Sequence, residues 1–255
     1  MSKYYQGKRT TRLFDPKATV PFKISRSKID NFVKCPRCFY IDVRLGVAQP
    51  PSMPFTLNSA VDHLLKKEFD IHRAKEEPHP LMKNYGLDAV PYQHPDMDKW
   101  RDSLRAGIEY SHQPTNLVIH GGIDDVWVNP AGELIIVDYK ATAKDQKPTL
   151  DAPWQDGYKR QMEIYQWLFR QNNFPVAETG YFVYCNGKRD AKAFDAKLEF
   201  DIDLIPYKGK TDWIEPTLSD IKACLMSDKI PPSGAECDFC AYRTAIQSLK
   251  PKSLV

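Results

Sequence analysis

Two apolar runs, Val126-Trp127-Val128 and Leu134-Ile135-Ile136-Val137, flank the tetrapeptide Asn129-Pro130-Ala131-Gly132. β-Branched and apolar residues on either side of turn chemistry predict a β-hairpin. The second run is too apolar for a solvated edge, so the hairpin is expected in the buried middle of a sheet. Asp124 opens the first strand and Asp138 closes the second. Antiparallel pairing brings these two carboxylates to the same end of the hairpin.

Side chains alternate along a strand, so Asp138 and Lys140 share one face while Tyr139 points to the other. Carboxylate oxygens of this kind suit Mg²⁺ or Mn²⁺, which can bridge a phosphate and lower the pKa of a bound water. The Lys140 amine is placed to orient that water or to stabilise charge developing on the phosphate. The plainer reading of the same residues is a hairpin with acids at its solvated ends and a surface lysine.

Gly122-Ile123-Asp124 and Asp138-Tyr139-Lys140, followed by Gln161-Met162-Glu163-Ile164-Tyr165, resemble the G-x-D, D-Y-K and Q-x-x-x-Y segments of the PD-(D/E)XK nuclease superfamily, in its RecB-type branch. Three matches in the family's order are far more specific than one. The resemblance implies a restriction-endonuclease-like α/β fold, a mixed β-sheet flanked by helices. It also implies a metal-dependent deoxyribonuclease in which Asp124 and Asp138 hold the divalent ion, Lys140 assists the attacking water, and Gln161 and Tyr165 position the strand.

The resemblance extends to both ends of the chain. Ser25 to Tyr40, SRSKIDNFVKCPRCFY, is similar to the opening of RecB-type nucleases that carry an iron-sulfur cluster, and Cys237-Asp238-Phe239-Cys240 with Tyr242-Arg243 is similar to their closing segment. That family pattern has one N-terminal and three C-terminal cysteines. Here Cys38 stands in for the third C-terminal ligand, so Cys35, Cys38, Cys237 and Cys240 supply four thiolates, enough for a tetrahedral Zn²⁺ or a [4Fe-4S] cluster. Two disulfides or four unlinked thiols are the alternatives; Cys185 and Cys224 read as core residues. RecB-type nucleases also place a metal-binding histidine on the helix before the G-x-D strand, usually four residues after a glycine. His63 holds that position, Ser59 replaces the glycine, and Asp62 competes for the role.

The length suits one nuclease-like domain over 1–255, with 25–45 and 230–245 forming a small cysteine-metal subdomain that joins both termini, and 74–116 a variable insertion or lid. No apolar stretch is long enough to span a bilayer and the N-terminus has no signal-peptide core, which leads to the expectation of a cytoplasmic protein with no membrane partner. Residues 1–50 carry eleven Lys or Arg against three acids, either a solvated basic tail or a phosphate-contacting surface. Tyr4, Tyr5, Phe14 and Phe22 interleave with that charge and are placed to stack on bases or to pin the segment to the core.

Local patterns predict an extended arm over 1–24, a serine-capped helix over 28–34, a helix over 57–73 with Val61, Leu64, Leu65 and Phe69 inward, and a short helix over 97–107. Further on they predict a helix over 154–172, a strand over 178–185 turning at Asn186-Gly187, a strand carrying Leu198, Phe200, Ile202 and Leu204, and a helix over 216–226. The expected partner is single- or double-stranded DNA, with a helicase or repair protein possible by family analogy, in DNA repair, recombination or CRISPR-type adaptation. The competing expectations are a catalytically silent nucleic-acid-binding module on the same fold and a cysteine-metal redox or sensor protein.

Overall fold

The computed structural model describes residues 7–51 and 56–249. The chain divides into two compact units, the first from Met1–Met53, Ser111–Val118 and Asp212–Val255, the second from Pro54–Tyr110 and Ile119–Thr211. Among the described residues no helix is long and apolar enough to cross a membrane.

The second unit is built on a five-stranded sheet. Its strands are β2 (Val90–Pro91), β5 (Asp125–Val128), β6 (Leu134–Thr142), β7 (Thr179–Gly187) and β8 (Phe200–Lys208), in that spatial order. The hairpin β5–β6 pairs Asp125 with Val137 and Val128 with Leu134. Its turn is closed by the Gly132 amide donating to the Asn129 carbonyl at 2.9 Å, with Gly132 at φ +78, a backbone state that disfavours side chains. β6 runs parallel to β7, matching Asp138 with Phe182 and Lys140 with Tyr184. The crossover between them is the helix α6 (Asp156–Gln171), as parallel neighbours require. The sheet is therefore mixed, and β6 lies at its centre.

Helix α3 (Thr56–Lys75) presents Leu65 and Phe69 to the sheet, where Phe69 stacks 5.2 Å from Trp127 and 5.7 Å from Tyr139. Leu64, expected inward, is exposed, because it stands about 100° round the helix from Leu65. Asn58 and Ser59 lie inside α3 rather than capping it, and Asn58 Nδ2 donates to the Ala141 carbonyl at 3.0 Å. The expected one-sided burial of α6 proves wider: residues 162–169 are all buried, and its polar members are used, Glu163 accepting from the Tyr207 hydroxyl and Gln166 donating to the Glu178 carbonyl.

Within 74–116 the chain forms α4 (Pro80–Asn84) and the edge strand β2, which pairs with β5. Three expectations fail for tertiary reasons. The helix α5 stops at Met97–Arg101, leaving Leu104 exposed, and Ile108–His112 forms the unforeseen strand β3. Asn186-Gly187 does not turn the chain but continues β7 against Asp201 and Phe200, with the Asn186 amide bonded to the backbone of Lys144. Of the four residues expected inward on the last strand, Leu204 alone is buried, and Leu198 precedes β8 altogether.

β1 (Phe22–Ser25) belongs to a sheet of order β1-β4-β3, where β4 is Leu117–Gly121. Residues 22–25 are thus a strand rather than part of an arm. Helices α1 (Arg26–Lys34), α2 (Pro36–Val43), α7 (Ile214–Met226) and α8 (Asp238–Ser248) belong to the first unit. Ser25 occupies the N-cap of α1, but its hydroxyl turns to Ser27 at 2.9 Å and caps nothing. Part of the N-terminal basic charge is consumed internally, since Arg9 and Lys28 both pair with buried Asp42. Phe14 is buried against Phe22, ring centroids 5.4 Å apart, and so serves the core; Tyr4 and Tyr5 lie outside the described residues.

Candidate active site and cysteine centre

Asp138 sits in the middle of the nine-residue β6 and is fully buried, not at the strand's closing end. Two residues on, on the same face, Lys140 extends its Nζ to the Asp138 carboxylate. The same amine lies 3.4 Å from Gln161 Oε1 and 4.4 Å from the centroid of the Tyr158 ring. Burial, and then the Asp138 charge, hold the Tyr158 hydroxyl above its ordinary pKa, so the ring faces Lys140 uncharged.

Asp124 precedes β5 by one residue, and its Oδ2 accepts the Tyr139 backbone N–H at 2.8 Å. That bond fixes one carboxylate oxygen beside β6 and leaves Oδ1 facing Lys66 at 3.4 Å. Lys66 also reaches Asp62 at 2.8 Å, one helical turn back on α3. A cation thus stands between the two acids. Burial, reinforced by the Asp124 charge, raises the Asp62 pKa. Burial opposes the Lys66 charge, yet Asp124 and Asp62 outweigh it and raise the lysine's pKa.

Asp62, Tyr139, Lys140 and Tyr158 line a cavity of about 100 Å³ together with Asn58, Val61, Leu65 and Ala141. His63 is exposed and absent from that lining. Successive helical residues point about 100° apart, so α3 can turn Asp62 or His63 toward the cavity, and it turns Asp62.

The Q-x-x-x-Y helix segment reaches the G-x-D segment through side chains. Gln161 Nε2 lies 3.4 Å from the Tyr165 hydroxyl, and that hydroxyl donates to the Gly122 carbonyl at 2.6 Å. Spacing of four on α6 puts both groups on one face. Lys140, Gln161, Tyr165 and Gly122 therefore form a continuous polar chain between β6 and the approach to Asp124.

Behind the site lies a buried ionic network that sequence reasoning missed. Asp125 is fully buried and pairs with Arg73 and with Arg101, the latter at 3.0 Å. It also accepts from the Tyr139 hydroxyl at 2.8 Å, the Val126 amide at 2.9 Å and Trp127 Nε1 at 3.3 Å. Arg101 bonds Asp70 through both of its carboxylate oxygens and donates from Nε to the Asp124 carbonyl at 3.1 Å. The signal available in the sequence was the second of two adjacent acids, whose side chain must face away from the first.

In the first unit, Cys35, Cys38, Cys237 and Cys240 gather with all four sulfurs within 4.8 Å of one another, and could hold a metal. They are the only group of three or more Cys, His, Asp or Glu so arranged among the described residues. None is in a disulfide. Burial pushes the Cys35 thiol up, but amide N–H groups of Gly234 and Cys38 directed at its sulfur bring it down to about 7. Cys185, buried in β7, has its thiol raised to about 11 by burial, as an inert core residue would.

The family model of the PD-(D/E)XK nuclease superfamily matches residues 23–245, nearly the whole chain. The chain belongs to the PD-(D/E)XK nuclease superfamily. The match takes in both the cysteine centre and the acid-lysine cluster of β5 and β6. The solved structure described as "Crystal structure of SSO0001" is similar at 19% identity and a TM-score of 0.40, covering 91% of this chain and 87% of that one, too remote to inform the site. Comparison with curated proteins finds no match. Members of this superfamily are usually hydrolytic nucleases that act with divalent metals.

Proposed function

We propose that this PD-(D/E)XK protein is a Mg²⁺- or Mn²⁺-dependent deoxyribonuclease of the RecB type. The observation that carries the reading is a linked set of acids and lysines: Asp62 and Lys140 line a small cavity, Lys140 pairs with Asp138, Lys66 joins Asp62 to Asp124, and Tyr165, bonded to Gln161, holds the Gly122 carbonyl in the chain that leads to Asp124. The donor chemistry is that of a hard divalent ion, carboxylate oxygens, and a cationic lysine already lies between Asp62 and Asp124, although among the described residues the acids do not stand as close together as the four cysteine sulfurs do. The ion's ligands would be Asp124, Asp138 and, from α3, Asp62 in preference to His63. When bound, such an ion polarises a phosphate and acidifies a water.

The protein's own groups supply the rest. The Tyr139 amide holds Asp124 in one orientation, so its second oxygen, which faces Lys66, is preorganised. Lys140 Nζ, paired with buried Asp138, offers positive charge to a phosphate oxygen as negative charge builds on it. Tyr158 and Gln161 limit where that amine can go. Tyr165 fixes the Gly122 carbonyl and with it the entry to Asp124.

The test is cleavage of end-labelled single- and double-stranded DNA with Mg²⁺ or Mn²⁺, comparing wild type with Asp138→Ala and Lys140→Ala. Metal-dependent cutting should fall by about 10²- to 10³-fold in the lysine variant, the cost of one lost charge-stabilising group, and at least as far in the aspartate variant. Cutting that persists in both, or a folded wild type that binds DNA without cutting it, would refute the reading, and the latter would leave a binding module.

A further inference from the structure

We infer that Cys35, Cys38, Cys237 and Cys240 bind one mononuclear, tetrahedrally coordinated ion of the Zn²⁺ class, and not a [4Fe-4S] cluster. The argument rests on sulfur spacing. Cys38 Sγ lies 3.5 Å from Cys237 Sγ and 3.6 Å from Cys240 Sγ, and Cys35 Sγ lies 3.8 Å from Cys240 Sγ. Four thiolates about 2.3 Å from one tetrahedral ion stand roughly 3.8 Å apart, from the tetrahedral edge. A cubane cluster binds each thiolate through a different iron, which sets the sulfurs on the order of 6 Å apart. The quartet is too tight to enclose a four-iron core and has the size of a single-ion site.

The spacing also excludes disulfides as the resting pairing. Cys38 is nearly equidistant from the sulfurs of Cys237 and Cys240, far beyond the roughly 2.05 Å of a disulfide bond, so no pair is singled out. Two helices build the site in the same way. Cys35 is the N-cap of α2 and Cys237 that of α8, and Cys38 and Cys240 sit three residues on, in the first turns. Each helix thus turns both sulfurs of a C-x-x-C pair toward one point, at the end where its dipole favours negative charge.

The backbone adds donors to the thiolate nearest the chain. Amide N–H groups of Cys38 and Gly234 lie 3.4 and 3.2 Å from Cys35 Sγ. Gly234 can approach because it has no side chain; a Cβ there would fall 2.0 Å from the Lys34 carbonyl oxygen.

The experiment is metal and acid-labile sulfide analysis of the full-length chain, purified without oxygen from cells supplied with both iron and zinc, followed by X-ray absorption at the metal edge. The expected result is one metal ion per chain, no labile sulfide, four sulfur neighbours at about 2.3 Å and no metal–metal vector. Cobalt exchanged into the site should show thiolate-to-cobalt charge transfer. Cys38→Ser should lose most of the metal and Cys224→Ser none of it. Four irons with four sulfides per chain would overturn the proposal, as would any metal–metal vector or a metal-free chain with oxidised cysteines. None of these readouts depends on DNA cleavage, so the result is independent of the nuclease reading.

Discussion

Asp125→Ala removes the carboxylate at the centre of the buried network behind the site. The side chain is fully buried and serves Arg73, Arg101, the Tyr139 hydroxyl, Trp127 Nε1 and the Val126 amide. Stripping one partner from a buried ion pair costs about 3–5 kcal/mol, since the other charge stays behind without compensation. Both arginines retain Asp70, at 3.0 Å from Arg73 and 2.9 Å from Arg101, which places the expected loss near the lower end, about 3 kcal/mol. Asp125→Asn keeps an acceptor for Tyr139 and loses only the charge, so it should fall between wild type and alanine. The assay is urea unfolding followed by tryptophan fluorescence, because Trp100, Trp127, Trp154 and Trp167 all lie in the second unit. If Asp125→Ala costs under about 1 kcal/mol, the network contributes no net stabilisation and the reasoning fails. Because Arg101 also holds the Asp124 carbonyl, Arg101→Met should lower DNA cleavage even at temperatures where the variant is fully folded.

Tyr165→Phe deletes the bond to the Gly122 carbonyl while keeping the buried ring, so cleavage should drop about tenfold, equivalent to about 1.4 kcal/mol for one hydrogen bond; an unchanged rate in a steady-state assay would remove Tyr165 from the positioning chain. Gly234→Ala should cut metal retention by the full-length chain sharply, measured as metal per chain, because its Cβ meets the Lys34 carbonyl. Burial raises the Asp70 carboxyl, but bonds from Arg101 and Arg73 outweigh it and hold its pKa below the usual range. Its folded value is therefore depressed, so its contribution is complete above the unfolded pKa of about 4 and is lost as pH falls through the folded value. The stability difference between wild type and Asp70→Asn should accordingly be present at neutral pH and vanish in strong acid, read from unfolding curves at both; a constant difference would contradict the assignment.

Most of the hairpin's content was legible because its signals are local. The turn at Asn129-Pro130-Ala131-Gly132, the apolar run of β6 and strand alternation suffice to put Asp138 and Lys140 on one face and Asp124 within reach of the Tyr139 amide. The Q-x-x-x-Y spacing was equally local, and it correctly placed Gln161 and Tyr165 on one side of α6. Where the expectations failed, a partner outside the window decided. β2 exists because β5 accepts it, and Asn186-Gly187 stays extended because β8 and Lys144 bind it. His63 and Asp62 could not be ranked without the rotation of α3, which Leu65 and Phe69 set by packing on the sheet.

By itself the sequence determined the acid-lysine pair, the four thiolates and the order of motifs that marks the superfamily, because residue chemistry and short spacings survive any packing. Tertiary structure alone decided which α3 residue faces the cavity, which acid is buried among arginines, and how closely the four sulfurs stand. Those are distances between elements far apart in the chain, set by how side chains fill space, and no local pattern encodes them.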